Sequence, residues 1–156
     1  MNTDAALNTA ATILAPWGPA TTRPEPTRLD IAIAREHLLE AIAALQGARW
    51  GYLSAMTGLD RPVTGEFEVL YHFCAGAAIV TLRVRAPKAD ATVPSICGVI
   101  PSASFFEREL SEMFGITVLG TPDPARLFLP DDWPEGVFPL RKDYAPGAPG
   151  GGEHHA

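Results

Sequence analysis

The sequence predicts an α+β fold: a two-layer domain whose mixed β-sheet is covered by two main helices, followed by a proline-rich extended C-terminal strap. Three observations carry this expectation. Phe67, Val69, Tyr71 and Phe73 alternate with Glu68, Leu70 and His72, and the same period of two runs through Ala78, Val80, Leu82 and Val84. Leu38, Ile42 and Leu45 fall instead at helical spacing, as do Phe106, Leu110 and Met113. From residue 120 onward, Pro122, Pro124, Pro130, Pro134 and Pro139 forbid a long helix and most ladder pairing.

The chain has 156 residues, enough for one domain with one modest core. Residues 1–26 are read as a flexible N-terminal arm: an Ala/Thr-rich start, 1–15, compatible with a frayed helix, is followed by Pro16, Pro19, Pro24 and Pro26. The core domain is assigned to 27–119. It opens with a short strand at Leu29, Ile31 and Ile33, then a helix over 35–46 that Gly47 stops. A second strand covers 50–56, closed by Thr57-Gly58. The two alternating strands that follow are joined through Ala75-Gly76-Ala77 as an antiparallel hairpin. Pro94 and Pro101 bracket a short segment. Ser104 and Glu107 then stand at the spacing of a capping box, each positioned to reach the other's main-chain amide, at the head of a helix over 105–114. Gly115 ends that helix and 116–119 resumes a strand.

The segment 120–144 is assigned as a docking strap. It carries Leu127, Phe128, Leu129, Trp133, Val137, Phe138, Leu140 and Tyr144, a composition foreign to a disordered tail. Each large apolar side chain contributes about 1.5–3 kcal/mol when fully buried, so the strap must lie against something, with a partner protein favoured over its own sheet. Residues 145–156 read as a disordered tail, and His154 and His155 are not at metal-ligand spacing.

Composition excludes several functions. The net charge of −6 and the lack of a Lys/Arg cluster argue against nucleic acid, and Arg83, Arg85 and Lys88 read as solvated charges at a strand. Cys74 and Cys97 form no CxxC and read as buried thiols; an iron–sulfur cluster needs about four such ligands. The longest apolar run, 73–82, is far shorter than the ~20 residues of a spanning helix, and no basic start marks a secretory signal. Membrane contact is therefore expected only through partners. No glycine-rich phosphate loop, GxSxG or HExxH occurs. His72 reads as a structural histidine within its strand, and His37 as an exposed residue at a helix start.

Two blocks carry a family resemblance. The stronger runs Phe106-Glu107-Arg108-Glu109-Leu110-Ser111-Glu112-Met113-Phe114-Gly115-Ile116, continues through Gly120-Thr121-Pro122-Asp123 and Arg126-Leu127-Phe128-Leu129-Pro130-Asp131-Asp132-Trp133, and ends at Pro139-Leu140-Arg141-Lys142-Asp143-Tyr144. The weaker comprises Tyr52-Leu53-Ser54, Thr57-Gly58-Leu59-Asp60 and the 67–73 strand. Together they resemble the 30-kDa subunit family of respiratory-chain NADH:quinone oxidoreductase, complex I, including its equivalents in group 4 membrane-bound [NiFe] hydrogenases. The chain departs from the family pattern at Glu112, where Asp is usual, at Thr121, where His is frequent, at Ala125, where the family has a second arginine, and at Ala55, where an acid is common.

The resemblance implies a non-catalytic subunit of a peripheral arm on the cytoplasmic side of the membrane. Such a protein buttresses the large 49-kDa-type or hydrogenase large subunit beside neighbouring iron–sulfur subunits. It implies no cofactor on this chain, with iron–sulfur clusters and NADH, FMN and quinone, or a Ni–Fe site, in partner subunits. Candidate partner-interface residues are Glu107, Arg108, Glu109, Asp123, Arg126, Trp133, Arg141, Lys142 and Asp143. Within that set, Arg108 and Glu112 are expected to pair at i, i+4, and Asp123 is weighed with Arg126 as a lock on the proline-rich turn. The rival expectation is a stand-alone enzyme using a Glu109/Glu112 carboxylate pair. A third is a thiol redox protein using Cys74 and Cys97.

Overall fold

The structure is a computed structural model that describes residues 2–147. The outer part of the expected tail, 148–156, therefore lies outside the described residues. Five strands form the main sheet in the order β1-β2-β5-β4-β3. They are β1 (Thr21–Glu25), β2 (Arg28–Ala32), β3 (Tyr52–Arg61), β4 (Glu66–Ala75) and β5 (Ala78–Pro87). β2 runs parallel to β5 and the other pairs are antiparallel, so the sheet is mixed. Three helices, α1 (Thr3–Leu14), α2 (Leu38–Gly47) and α3 (Ser104–Phe114), cover one face. A separate parallel pair, β6 (Thr92–Pro94) and β7 (Thr117–Leu119), flanks α3. The α+β class stands, with three covering helices where two were expected.

Alternation builds the core. Phe67, Val69, Tyr71 and Phe73 of β4 lie opposite Ala86, Val84, Leu82 and Val80 of β5, and all eight are buried against the helices. The hairpin turn is tight because Gly76 takes a positive φ of 60°. β3 is longer than expected, continuing through Thr57 and Gly58 to Arg61. At Gly58 an added Cβ would stand 2.4 Å from the Phe114 ring, so α3 approaches the sheet as closely as it does only because no side chain intervenes.

The N-terminal residues differ from the expected flexible arm. α1 is capped by the Asn2 side chain, which accepts from the Asp4 and Ala5 amides. It buries Ala6, Leu7, Ala10 and Leu14, and the Trp50 indole donates to the Ala6 carbonyl at 2.8 Å. Residues 21–25, read as linker, form the edge strand β1, whose register shifts near Pro24 as an edge with a missing donor allows.

The opposite face of the sheet is polar and carries an ion-pair chain. Asp30 accepts from Arg28 at 2.7 Å and from Arg83 at 2.8 Å; Arg83 also reaches Glu68 at 2.7 Å, and Arg61 pairs with Glu68 as well. Arg85 pairs with Glu66 at 3.3 Å on this face, whereas Lys88 reaches the buried Asp60 at 2.5 Å on the helix side, because Asp60 stands opposite Phe67 in the β3–β4 register. Arg83, Arg85 and Lys88 are thus bound charges rather than freely solvated ones. Their partners stand on neighbouring strands, out of reach of a reading along one strand. Nearby, both ring nitrogens of His72 meet threonine hydroxyls, Thr57 and Thr81, each at 3.0 Å, in the structural role its position suggested.

Candidate functional site

α3 and the strap make the region where the sequence places its candidate residues. α3 does not begin with a capping box. Ser104 is itself helical, and no side chain caps the preceding Ala103. Glu107 turns inward instead, 1% exposed, and accepts from the Ile96 amide at 2.7 Å, the Ser95 hydroxyl at 2.8 Å and the Cys97 thiol at 3.2 Å. It ties α3 to the segment leaving β6. Local spacing favours a cap; the non-local amide of Ile96 is the better partner and invisible to spacing. Burial pushes the Cys97 thiol above its ordinary range, with Ser95 opposing and Glu107 adding to the rise. Cys97 is buried in the turn after β6 and Cys74 is half-buried in β4, and both are free thiols.

One turn further along, α3 grips the strap by its main chain. The Glu112 carboxylate accepts from three consecutive amides: Leu127 at 3.2 Å, Phe128 at 2.9 Å and Leu129 at 2.7 Å. Arg108 does the converse, donating to the Ala125 carbonyl at 2.8 Å and the Arg126 carbonyl at 2.7 Å, and it pairs with Asp123 at 3.2 Å. A carboxylate meeting N–H groups and a guanidinium meeting C=O groups form a clasp across about one helical turn. The expected Arg108–Glu112 pair is therefore not formed, because both side chains find backbone partners. Nor does Asp123 pair with Arg126: Asp123 also accepts from the Ala125 amide at 3.0 Å, while Arg126 donates to the Pro130 carbonyl at 2.8 Å.

The far end of the strap is fixed separately. The Leu140 amide donates to the Met113 carbonyl at 3.1 Å, and Arg141 donates to the Phe114 carbonyl at 2.6 Å while its guanidinium lies 4.3 Å from the Phe138 ring centroid and 5.1 Å from that of Phe67. Gly115, with φ 71°, closes α3 here, and an added Cβ would meet Phe138 at 2.5 Å and Arg141 at 2.6 Å. The Lys142 amide donates to Asp60 at 2.8 Å. Burial pushes the Asp60 carboxyl up, but Lys88, the Lys142 amide and Arg141 outweigh it, and the group ends below its ordinary range. Between the two attachments, the Trp133 indole donates to the Val137 carbonyl at 2.9 Å and stacks obliquely on Tyr144, with centroids 6.3 Å apart. A hollow of about 190 Å³ lies under this arch, lined by Leu129, Trp133, Val137 and Phe138 with Arg108 and Glu112.

The structure thus brings together Arg108, Asp123, Arg126, Trp133 and Arg141, but on the chain's own strap. It withdraws Glu107 from the surface altogether and leaves Lys142 and Asp143 exposed. Glu109 is half-buried, and among the described residues no side chain or amide engages its carboxylate, whereas Glu112 accepts from three strap amides, so the two carboxylates of the rival reading stand in different surroundings. Asp60, which anchors the strap's end from 82 residues away, is missing from the sequence-based candidates; nothing in its own neighbourhood signals that role. The strap leaves large apolar side chains outside: Phe128 is 63% exposed and Leu140 50%, with Phe105 of α3 at 61%. Among the described residues, no three His, Cys, Asp or Glu side chains converge as metal ligands, and no helix is long and apolar enough to cross a membrane.

Three similarities bear on this arrangement. Formate hydrogenlyase subunit 5 of Escherichia coli (strain K12) is 34% identical over 120 residues, which is 74% of this chain and 21% of that protein. An NADH-quinone oxidoreductase subunit of Acidothermus cellulolyticus is 37% identical over 123 residues, covering 74% of this chain and 63% of that one. The chain therefore spans about a fifth of the first relative and less than two thirds of the second. In fold, it superposes with a TM-score of 0.79 on a chain of the membrane-bound sulfane sulfur reductase, an archaeal respiratory membrane complex, at 20% identity, covering 93% of this chain and 86% of that one. The family model for the 30 Kd subunit of respiratory-chain NADH dehydrogenase matches residues 31–149, from β2 through the whole strap. The chain, with its α3–strap clasp inside the matched region, belongs to that family, whose members include subunits of NADH-quinone oxidoreductases and of hydrogenases.

Proposed function

We propose that this chain is a non-catalytic subunit of the peripheral arm of a complex I-like oxidoreductase or a related membrane-bound hydrogenase, on the cytoplasmic side of the membrane. It buttresses the large catalytic subunit and carries no cofactor itself. Iron–sulfur clusters, and flavin and quinone or a Ni–Fe centre, sit in its partners. The observation that carries this is the use made of the one candidate carboxylate pair. Glu112 is committed to three strap amides and Arg108 to two strap carbonyls, and together they position a segment whose Phe128 and Leu140 side chains remain outside. Chemistry asks for a free base in reach of a substrate; a scaffold asks for a rigid displayed surface, and the clasp supplies the latter.

The mechanism is orientation. A scaffold that fixes its neighbour's position keeps electron-transfer partners close and the neighbour's pocket in shape. The test is purification of the tagged chain from its native host under gentle conditions. Co-elution in stoichiometric amount with a large subunit of the quinone-site or hydrogenase type is expected. Recovery as a lone monomer, or turnover by the purified chain that Glu109→Gln abolishes, overturns the proposal in favour of a stand-alone enzyme.

A further inference from the structure

A hollow of about 300 Å³ lies between the first two turns of α1 and the connection from α2 to β3, lined by Ala5, Ala6, Thr9, Arg49, Trp50 and Ala75 among others. Its polar groups are satisfied with a single exception. The buried Trp50 indole donates to the Ala6 carbonyl, and the Thr9 hydroxyl donates to the Ala5 carbonyl at 2.8 Å. Arg49 is the exception. It is the one charged residue of the lining, it is exposed, and among the described residues its side chain makes no ion pair or hydrogen bond. No acid stands in the lining to neutralise it.

The backbone under that cation is strained, and the fold does not require an arginine there. Arg49 takes φ 52°, in the left-handed region, and is the sole non-glycine residue to do so among the described residues. Its amide donates to the Gln46 carbonyl at 2.9 Å and the Trp50 amide donates to the Leu45 carbonyl at 2.9 Å, a closure of α2 that glycine ordinarily serves. A glycine is at hand but elsewhere: Gly47, two residues earlier, has no positive φ, and an added Cβ there would meet nothing within 4 Å. The chain thus has glycine where a side chain is harmless and a long cation where glycine would relieve strain. Strain of this kind persists where the side chain has a task. On the far side, Gly51 has φ 62° and an added Cβ would stand 2.2 Å from the Cys74 carbonyl, so the connection is pressed against the end of β4 and Arg49 is rooted in a fixed backbone at the rim of the hollow.

We propose that this hollow binds a small apolar monocarboxylate, its apolar part against Ala5, Ala6, Ala75 and Trp50 and its carboxylate paired with the Arg49 guanidinium. Size and charge select that class. An apolar concavity of this volume takes a body of about ten non-hydrogen atoms, and one unpaired guanidinium is matched by one carboxylate, which it meets through two parallel N–H···O bonds. The inference goes beyond the function proposed above and does not depend on it. The experiment is an NMR amide-shift titration of the full-length chain with phenylacetate, and with phenylacetamide as the uncharged isostere. Saturable shifts confined to the amides of 5–9, 49–51 and 75 are expected, with a Kd of about 1 mM or tighter for phenylacetate and binding at least about tenfold weaker for phenylacetamide. Arg49→Gly removes the cation and relieves the left-handed backbone together. It is expected to weaken phenylacetate by about tenfold or more while raising the thermal unfolding midpoint of the free chain. Arg49→Gln removes the charge and keeps the strain, so it is expected to lose the same affinity with no rise in midpoint.

Shifts that do not saturate, or that gather around a different arginine, overturn the proposal. So does equal affinity for phenylacetate and phenylacetamide, or affinity within twofold of the parent in both Arg49 variants. An Arg49→Gly chain that melts no higher than the parent also overturns it, because the left-handed arginine then carries no strain for a ligand to explain. None of these outcomes bears on the function proposed above, which co-purification tests separately.

Discussion

Glu112→Gln preserves the length of a side chain and replaces one acceptor oxygen with an amino group that faces N–H donors. Charged hydrogen bonds to backbone amides contribute more than neutral ones, so the variant is expected to lose about 1.5–3 kcal/mol by urea unfolding, and limited proteolysis is expected to cut near residues 125–130 that resist cleavage in the parent. His72 supplies a pH dependence. Burial lowers its pKa, Arg28 and Arg83 lower it further, and Asp30 opposes them. The unfolded imidazole titrates near ~6.5, so the unfolded chain takes up the proton first as pH falls. The stability that neutral His72 contributes is complete above that value and drains away as pH falls toward the lower folded-state pKa. Denaturation midpoints are expected to drop as pH falls below about 6.5, and His72→Gln to flatten that slope. At this scale the sequence is legible where a residue's partners are local. His72 reads correctly as structural, since its strand neighbours already define its surroundings. Glu107 and Arg108 do not, because a helix's own turns are the only partners that spacing reveals, and both side chains find main-chain groups that arrive from elsewhere.

Elements are legible in proportion to how strongly one face is buried. β4 and β5, with unbroken alternation and burial against three helices, lie where the pattern puts them. Composition allows α1 only as a frayed helix, because Ala and Thr give a weak amphipathic signal next to four prolines. The pattern that matters is Leu7, Ala10 and Leu14 at i, i+3 and i+7, closed by the Asn2 cap. Its packing makes a prediction. Removing residues 1–18 takes away the buried Leu7 and Leu14, at about 1.5–3 kcal/mol for each buried side chain, and is expected to lower stability by several kcal/mol in calorimetry rather than leave it unchanged. Trp50→Phe is the milder form: it removes the indole's bond to the Ala6 carbonyl together with part of a buried ring, and is expected to speed amide exchange most in α1.

For the molecule as a whole, the α+β class follows from composition and periodicity, but strand order does not. The parallel crossover from β2 to β5, with the β3–β4 hairpin arm beyond, is a long-range pairing that no single segment encodes. The same pairing creates the ion chain on the open face, where Arg83 sits between Asp30 and Glu68. Arg83→Met leaves two largely buried carboxylates facing each other with one cation fewer apiece. A loss of about 2–4 kcal/mol is expected at neutral pH, below the figure for a fully buried pair because Arg83 itself is partly solvated, and it should shrink as the solution is acidified and the carboxylates take up protons. Urea unfolding of parent and variant at two pH values measures both.

The grip of Glu112 and Arg108 touches only peptide groups, and every residue type carries those. Apart from proline, which would remove a donor at 127–129, the identity of the displayed side chain is therefore free to drift without loosening the hold. The outward-pointing letter at 128 is thus exchangeable while the fastening stays as it is.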